Sequence, residues 1–96
     1  MLFCMEWKFK ADPVCIRKGI DRFLATGAPL PEGDKMIGRW HAPGSDHGWI
    51  IVETDNARGL YEHASEWSME INWEVTPVLT DEEAGPVCQK LWGEEK

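Results

Sequence analysis

Clustered basic residues are missing from this chain. Ten Lys and Arg face seventeen Asp and Glu, for a formal net charge of −7, and no run of cations is present to displace counterions from a phosphate backbone. Nucleic acid is thereby excluded as a partner, and an anionic membrane surface would repel so acidic a chain. Long apolar runs are missing too, so no segment is suited to spanning a bilayer. Cysteine is sparse: Cys4, Cys15 and Cys88 are odd in number, far apart and without any C-x-x-C spacing. That excludes a disulfide framework and a zinc finger, and points to reduced, packed thiols in a cytoplasmic protein. The opening Met1 to Lys8 has no basic leader and its apolar run is interrupted at Glu6, so it reads as a strand and not as a signal peptide. Also lacking are a Ser-His-Asp order, a glycine-rich phosphate loop after a strand and an activated cysteine.

What is abundant is indole. Six Trp stand beside a single Tyr in 96 residues. Each indole brings a large apolar area and one N–H that needs a partner when buried. So much of it in a short chain builds an aromatic core, an interface, or a pocket with stacking walls. Ninety-six residues hold one core, so residues 1–96 form a single domain.

Residues 2–9 alternate, with Phe3, Met5, Trp7 and Phe9 on one face, which is therefore the buried one. Asp12-Pro13 opens a helix, Asp as N-cap and Pro at the first helical position. Ile16, Gly19, Ile20, Phe23 and Leu24 form its apolar stripe. Gly19 implies close approach to a sheet, and Gly27 stops the helix. Residues 35–42 and 47–54 form a hairpin around Pro43-Gly44, in type II turn chemistry. Its second arm is apolar on both parities, Trp49 with Ile51 and Ile50 with Val52, as in a central strand. Thr54-Asp55-Asn56 caps a second helix with the stripe Ala57, Leu60, Tyr61, Ala64, Trp67. A fourth strand sets Met69, Ile71, Trp73 and Val75 inward and is expected to be stopped by Thr76-Pro77-Val78-Leu79. Thr80-Asp81-Glu82-Glu83 is a capping box, and Gly85-Pro86 is expected to break the helix it starts after one turn, leaving a kink and a short tail through Trp92.

The order is β-α-β-β-α-β plus a short C-terminal helix: an α+β, ferredoxin-like fold with a four-stranded antiparallel sheet. Right-handed crossovers put both long helices on one sheet face. The other face then lacks cover within one chain, and a homodimer stacked through that face is the expected remedy.

The opening Met1-Leu2-Phe3 with Trp7-Lys8-Phe9-Lys10, then Arg22 to Pro29 (RFLATGAP) and Gly38-Arg39-Trp40-His41, resemble a bacterial family known only as a domain of unknown function, number thirty-three-oh-three. Val52-Glu53-Thr54-Asp55, Glu66-Trp67-Ser68 and Glu74 to Leu79 (EVTPVL) extend the resemblance over nearly the whole chain. It implies membership of the dimeric α+β barrel superfamily, in which some relatives are cofactor-free oxygenases, some degrade haem and some isomerise lactones. Fold and dimerisation follow from the resemblance; a reaction does not.

Gly38-Arg39-Trp40-His41 is the foremost candidate for chemistry. Arg39 and His41 share one strand face and Trp40 takes the other. Arg39 can hold an anionic group while His41 moves a proton near neutral pH; alternatively both belong to an edge cluster facing solvent or a partner. His41, His47 and His63 suffice in number for a metal, but no ligand spacing or completing Cys or carboxylate accompanies them, so no metal or other cofactor is expected. His63 reads as flanking the buried stripe at the surface, in preference to an axial haem ligand. Glu6 and Glu53 lie on central strands. A carboxylate held among indoles would act as a base, whereas at a sheet end it is merely solvated. Trp49 and Trp73 are assigned to core or dimer interface, which leaves Trp7, Trp40, Trp67 and Glu53 as pocket candidates for a small aromatic or organic ligand. Three readings follow: a ligand-binding homodimer, a cofactor-independent oxygenase or isomerase using His41 and Arg39, and a non-catalytic structural or regulatory dimer.

Overall fold

A computed structural model of the chain describes residues 1–93. It contains β1 (Leu2–Phe9), α1 (Pro13–Thr26), β2 (Lys35–His41), β3 (His47–Glu53), α2 (Ala57–Glu66), β4 (Ile71–Val78) and α3 (Asp81–Trp92). The four strands form one antiparallel sheet in the order β2-β3-β1-β4, which with the βαββαβ order is the ferredoxin-like α+β fold. No described helix is long and apolar enough to cross a membrane.

Local chemistry sets the element ends. The Asp12 and Asn56 side chains accept from the amides of Val14 and Arg58, each two residues on, capping α1 and α2. Gly27 ends α1 at φ 73°, its amide donating to the Phe23 carbonyl. Between β2 and β3, Ser45 N–H donates to the Ala42 carbonyl at 2.9 Å and Gly44 takes φ 94°, as the third residue of a type II turn must. Asn56→Ala is expected to lower stability by about 1 kcal/mol, read as a lower urea midpoint at unchanged slope.

Both long helices cover one sheet face. Met5, Trp7 and Phe9 of β1, Ile50 and Val52 of β3, Ile71 of β4, and Leu60 and Trp67 form the buried core, with Ile16, Ile20 and Phe23 packed against it. Gly19 is buried because the Phe9 ring occupies the place a β-carbon would take. The helix side of β3 is thus Ile50 and Val52, and Trp49 faces away, 36% exposed. On β2 a bulge between Met36 and Gly38 leaves Ile37 without a partner, which also blunts that edge.

Several expected positions are corrected. Leu24 is 74% and Tyr61 78% exposed: the α1 stripe ends at Phe23, and the α2 stripe runs Leu60, His63, Ala64, Trp67, with His63 in the place assigned to Tyr61. Ala57 is exposed, and so is Met69, in the turn before β4. Val75 is also exposed, midway along an edge strand. β4 does not stop at Pro77 but runs to Val78; an edge strand has a free side on which a missing N–H goes unnoticed. Nor does Pro86 break the last helix. The Thr80–Glu83 capping box starts α3, which continues through Pro86 to Trp92. None of its residues is buried. The long dimension is 59 Å and the radius of gyration 16.3 Å, against about 12 Å for a compact chain of this length.

A cavity between sheet and helices

A cavity of about 230 Å³ lies between the inner sheet face and the two long helices. β1 supplies Trp7 and Phe9, β4 supplies Ile71 and Trp73, α1 supplies Ile20 and Phe23, and α2 supplies His63, with Trp67 just after its end. Trp7 and Trp73 are directly opposed across the β1–β4 pairing, and both line the cavity. Room for Trp7 comes from the other neighbouring strand, where its partner is Gly48; a β-carbon there would fall into the Trp7 ring and onto the Trp40 carbonyl oxygen.

Arg39 and His41, two apart on β2, both border this cavity. His41 packs its ring against Trp7 and Phe23, with centroids 5.3 and 5.4 Å apart. Arg39 has a structural task. Its guanidinium donates to the carbonyls of Gly27 at 3.0 Å and Ala28 at 2.6 Å, so a cation closes the C-terminal end of α1, where one is favoured. Ala28, at φ 46°, is a buried non-glycine residue in the left-handed region, a conformation held only where its surroundings fix it. Burial pushes the Arg39 guanidinium below its usual value, which leaves it charged. Arg22 does the same for α2, donating to the Glu66 carbonyl at 2.6 Å while its guanidinium lies 4.2 Å from the Trp67 ring centre.

The pocket candidates divide between the two faces. Trp7 and Trp67 line the cavity, whereas Trp40 and Glu53 do not. Trp40 lies opposite Trp49 on the reverse face, 54% exposed, and Glu53 is an exposed sheet-end residue opposite Leu2 and Lys35. Glu6 is on the reverse face as well, opposite Trp49 and Glu74. Cys4 shares that face, and burial, followed by the charge of Glu6, raises its thiol pKa, the reverse of activation. His47 is tied to Asp46 at 2.8 Å.

Of the polar groups in the cavity, sequence patterning assigns Trp73 to core or interface and His63 to the surface. His63 is 1% exposed and not at the surface; it stands three residues after Leu60 and four before Trp67, a spacing that was enough to place it in the buried stripe. Its Nδ1 is buried without a hydrogen-bond partner, and so is Trp73 Nε1. The two rings meet edge to face with centroids 5.6 Å apart. Burial first, then Arg39, hold the His63 imidazole below its usual pKa, so it is neutral at pH 7. One other buried side-chain atom among the described residues lacks a partner, Asp34 Oδ2. It lies against Gly59 in the first turn of α2, where a helix N-terminus favours a carboxylate.

Residues 1–92 match the family described as Domain of unknown function (DUF3303). No curated protein and no solved structure matches the chain.

Proposed function

The chain belongs to the DUF3303 family, and on that footing we propose that it binds a small aromatic or organic ligand in the cavity between sheet and helices. The observation that carries this reading is the space itself: a cleft of about 230 Å³, partly open to solvent, with the exposed Leu24 and His41 in its lining, where side chains ordinarily pack to crystal density. An enclosed apolar void of about 150 Å³ is enough for benzene, so a cleft of this volume suits a substituted ring or two fused rings. Trp7, Phe23, Trp67 and Trp73 supply flat walls. Titration with an aromatic such as naphthalene is expected to quench tryptophan fluorescence saturably. Ile20→Phe, which fills the cavity from α1, is expected to abolish that quenching while circular dichroism stays unchanged. Unsaturable quenching, or equal quenching in both proteins, contradicts the reading.

The functional unit in this reading is a homodimer formed through the reverse sheet face, closing a dimeric α+β barrel, in a reducing cytoplasm. Supporting it are the exposed Trp40, Trp49 and Ile37 on one chain and three free cysteines. A twelve-residue helix with Gly85 and Pro86 inside it is also marginal unless something packs on it. Sedimentation is expected to give a dimer at micromolar concentration, and Trp49→Glu a monomer; a wild-type monomer removes this part.

Turnover, as a cofactor-independent oxygenase or isomerase, is a second reading, favoured by His41 and Arg39 both bordering the cavity. The engagement of Arg39 with two carbonyls weighs against its use as an anion clamp. If the protein is an enzyme, His41→Ala loses product formation and keeps saturable quenching.

A further inference from the structure

The most informative pair in the cavity is the one with nothing to bond to. A buried polar atom without a partner is held at about 1–3 kcal/mol, and native proteins keep few of them. Here two occur in side chains that pack against each other and line the same cavity, His63 Nδ1 and Trp73 Nε1. Their ring centroids are 5.6 Å apart. A hydroxyl oxygen, with N···O distances of about 2.9 Å at a roughly tetrahedral angle, bridges two nitrogens about 5 Å apart, a separation that rings in edge-to-face contact can present.

Resting on the binding reading above, we infer that His63 and Trp73 form a polar anchor for one hydroxyl group of the ligand, making the ligand class a phenol or a similar ring alcohol. The indole N–H can only donate, so the ligand atom must accept. The imidazole nitrogen accepts in one tautomer and donates in the other. A hydroxyl serves both cases, because it donates and accepts through one atom. A methyl group serves neither. A carboxylate cannot donate, and its natural partner, Arg39, already holds the Gly27 and Ala28 carbonyls. The cavity volume of about 230 Å³ confines the ring system to one or two rings, and aromatic walls on three sides favour a flat one.

The test uses the intact protein and a matched series, naphthol, methylnaphthalene and naphthoate, each substituted at the same ring carbon, by titration calorimetry. Naphthol is expected to bind about tenfold more tightly than methylnaphthalene, since that factor corresponds to one buried hydrogen bond. Trp73→Phe keeps an aromatic wall and loses only the N–H and one ring; it is expected to bring the ratio close to one, as is His63→Leu. Should either variant fail to fold, the wild-type protein still decides. Its Trp73 indole N–H proton resonance is expected to move downfield with naphthol and to lack that displacement with methylnaphthalene. Equal binding of naphthol and methylnaphthalene overturns the anchor and leaves the binding reading standing. Tightest binding of naphthoate overturns it in favour of an anion site at Arg39. Binding of none of the three overturns the binding reading, and the anchor with it.

Discussion

Gly48→Ala is expected to destabilise the fold by about 3 kcal/mol, at the upper end of what overpacking a core does. Gly48 is buried in the middle of the sheet, paired with Trp7 on one side and His41 on the other. An added β-carbon meets the Trp40 carbonyl and the Trp7 ring together. The first is backbone held in the β2–β3 ladder, and the second is an indole 6% exposed, so neither can yield alone. A small domain has roughly 5–10 kcal/mol in total, and the change removes a large part of it. Gly85→Ala is the control: nothing lies within 4 Å of its β-carbon position, and in a helix interior it is expected to be neutral or stabilising by up to about 1 kcal/mol. Urea unfolding of the two variants separates packing from any general effect of replacing glycine.

His63→Leu is expected to act in the opposite direction, raising stability by about 1–2 kcal/mol at neutral pH and more under mild acid. Part of the gain comes from removing a buried nitrogen without a partner. The rest is proton linkage. Burial, reinforced by Arg39 of β2 and Arg22 of α1 and opposed by Glu66 of α2 and Asp34, lowers the His63 pKa in the folded protein. The unfolded chain therefore binds a proton first, at about pH 6.5. Wild-type stability is full above that value and falls as pH drops from about 6.5 toward the lowered folded pKa. Asp46, held low by its hydrogen bond to His47, contributes stability that is lost only in the carboxylate range, below about pH 4. The window between pH 6.5 and 4.5 should thus report His63, and His63→Leu should flatten it. A wild-type slope that survives the substitution would contradict this assignment.

The helix caps Asp12-Pro13 and Asn56, the Thr80–Glu83 box and the Ala42–Ser45 turn are written in short stretches of sequence, because each is satisfied by neighbours two or three residues away. Element order and sheet topology followed from them and from the alternation in β1. The facing of β3 was not legible, since Trp49 with Ile51 and Ile50 with Val52 make equally apolar sets. Only packing against α1 and α2 distinguishes them. That ambiguity carried Trp40 into the pocket candidates; Trp73, assigned to core or interface, packs against the core and lines the cavity as well. His63 was misplaced for a different reason. A polar residue on a buried stripe reads as a flank unless the stripe is counted on strict i, i+3, i+4, i+7 spacing from Leu60. Pro77 and Pro86 show the limit of treating proline as punctuation, since an edge strand leaves one N–H unneeded and an exposed helix can continue past a lost hydrogen bond.

In the proposed function the aromatic-walled space between sheet and helices is a ligand site. The six indole N–H resonances test it most directly, followed in a nitrogen–proton correlation spectrum as naphthol is added. Trp7, Trp67 and Trp73 line the cavity; Trp40 and Trp49 lie on the reverse face and Trp92 at the end of α3. Saturable shifts are expected at the first three and none at the others. Shifts confined to Trp40 and Trp49, or none at saturating naphthol, would contradict it.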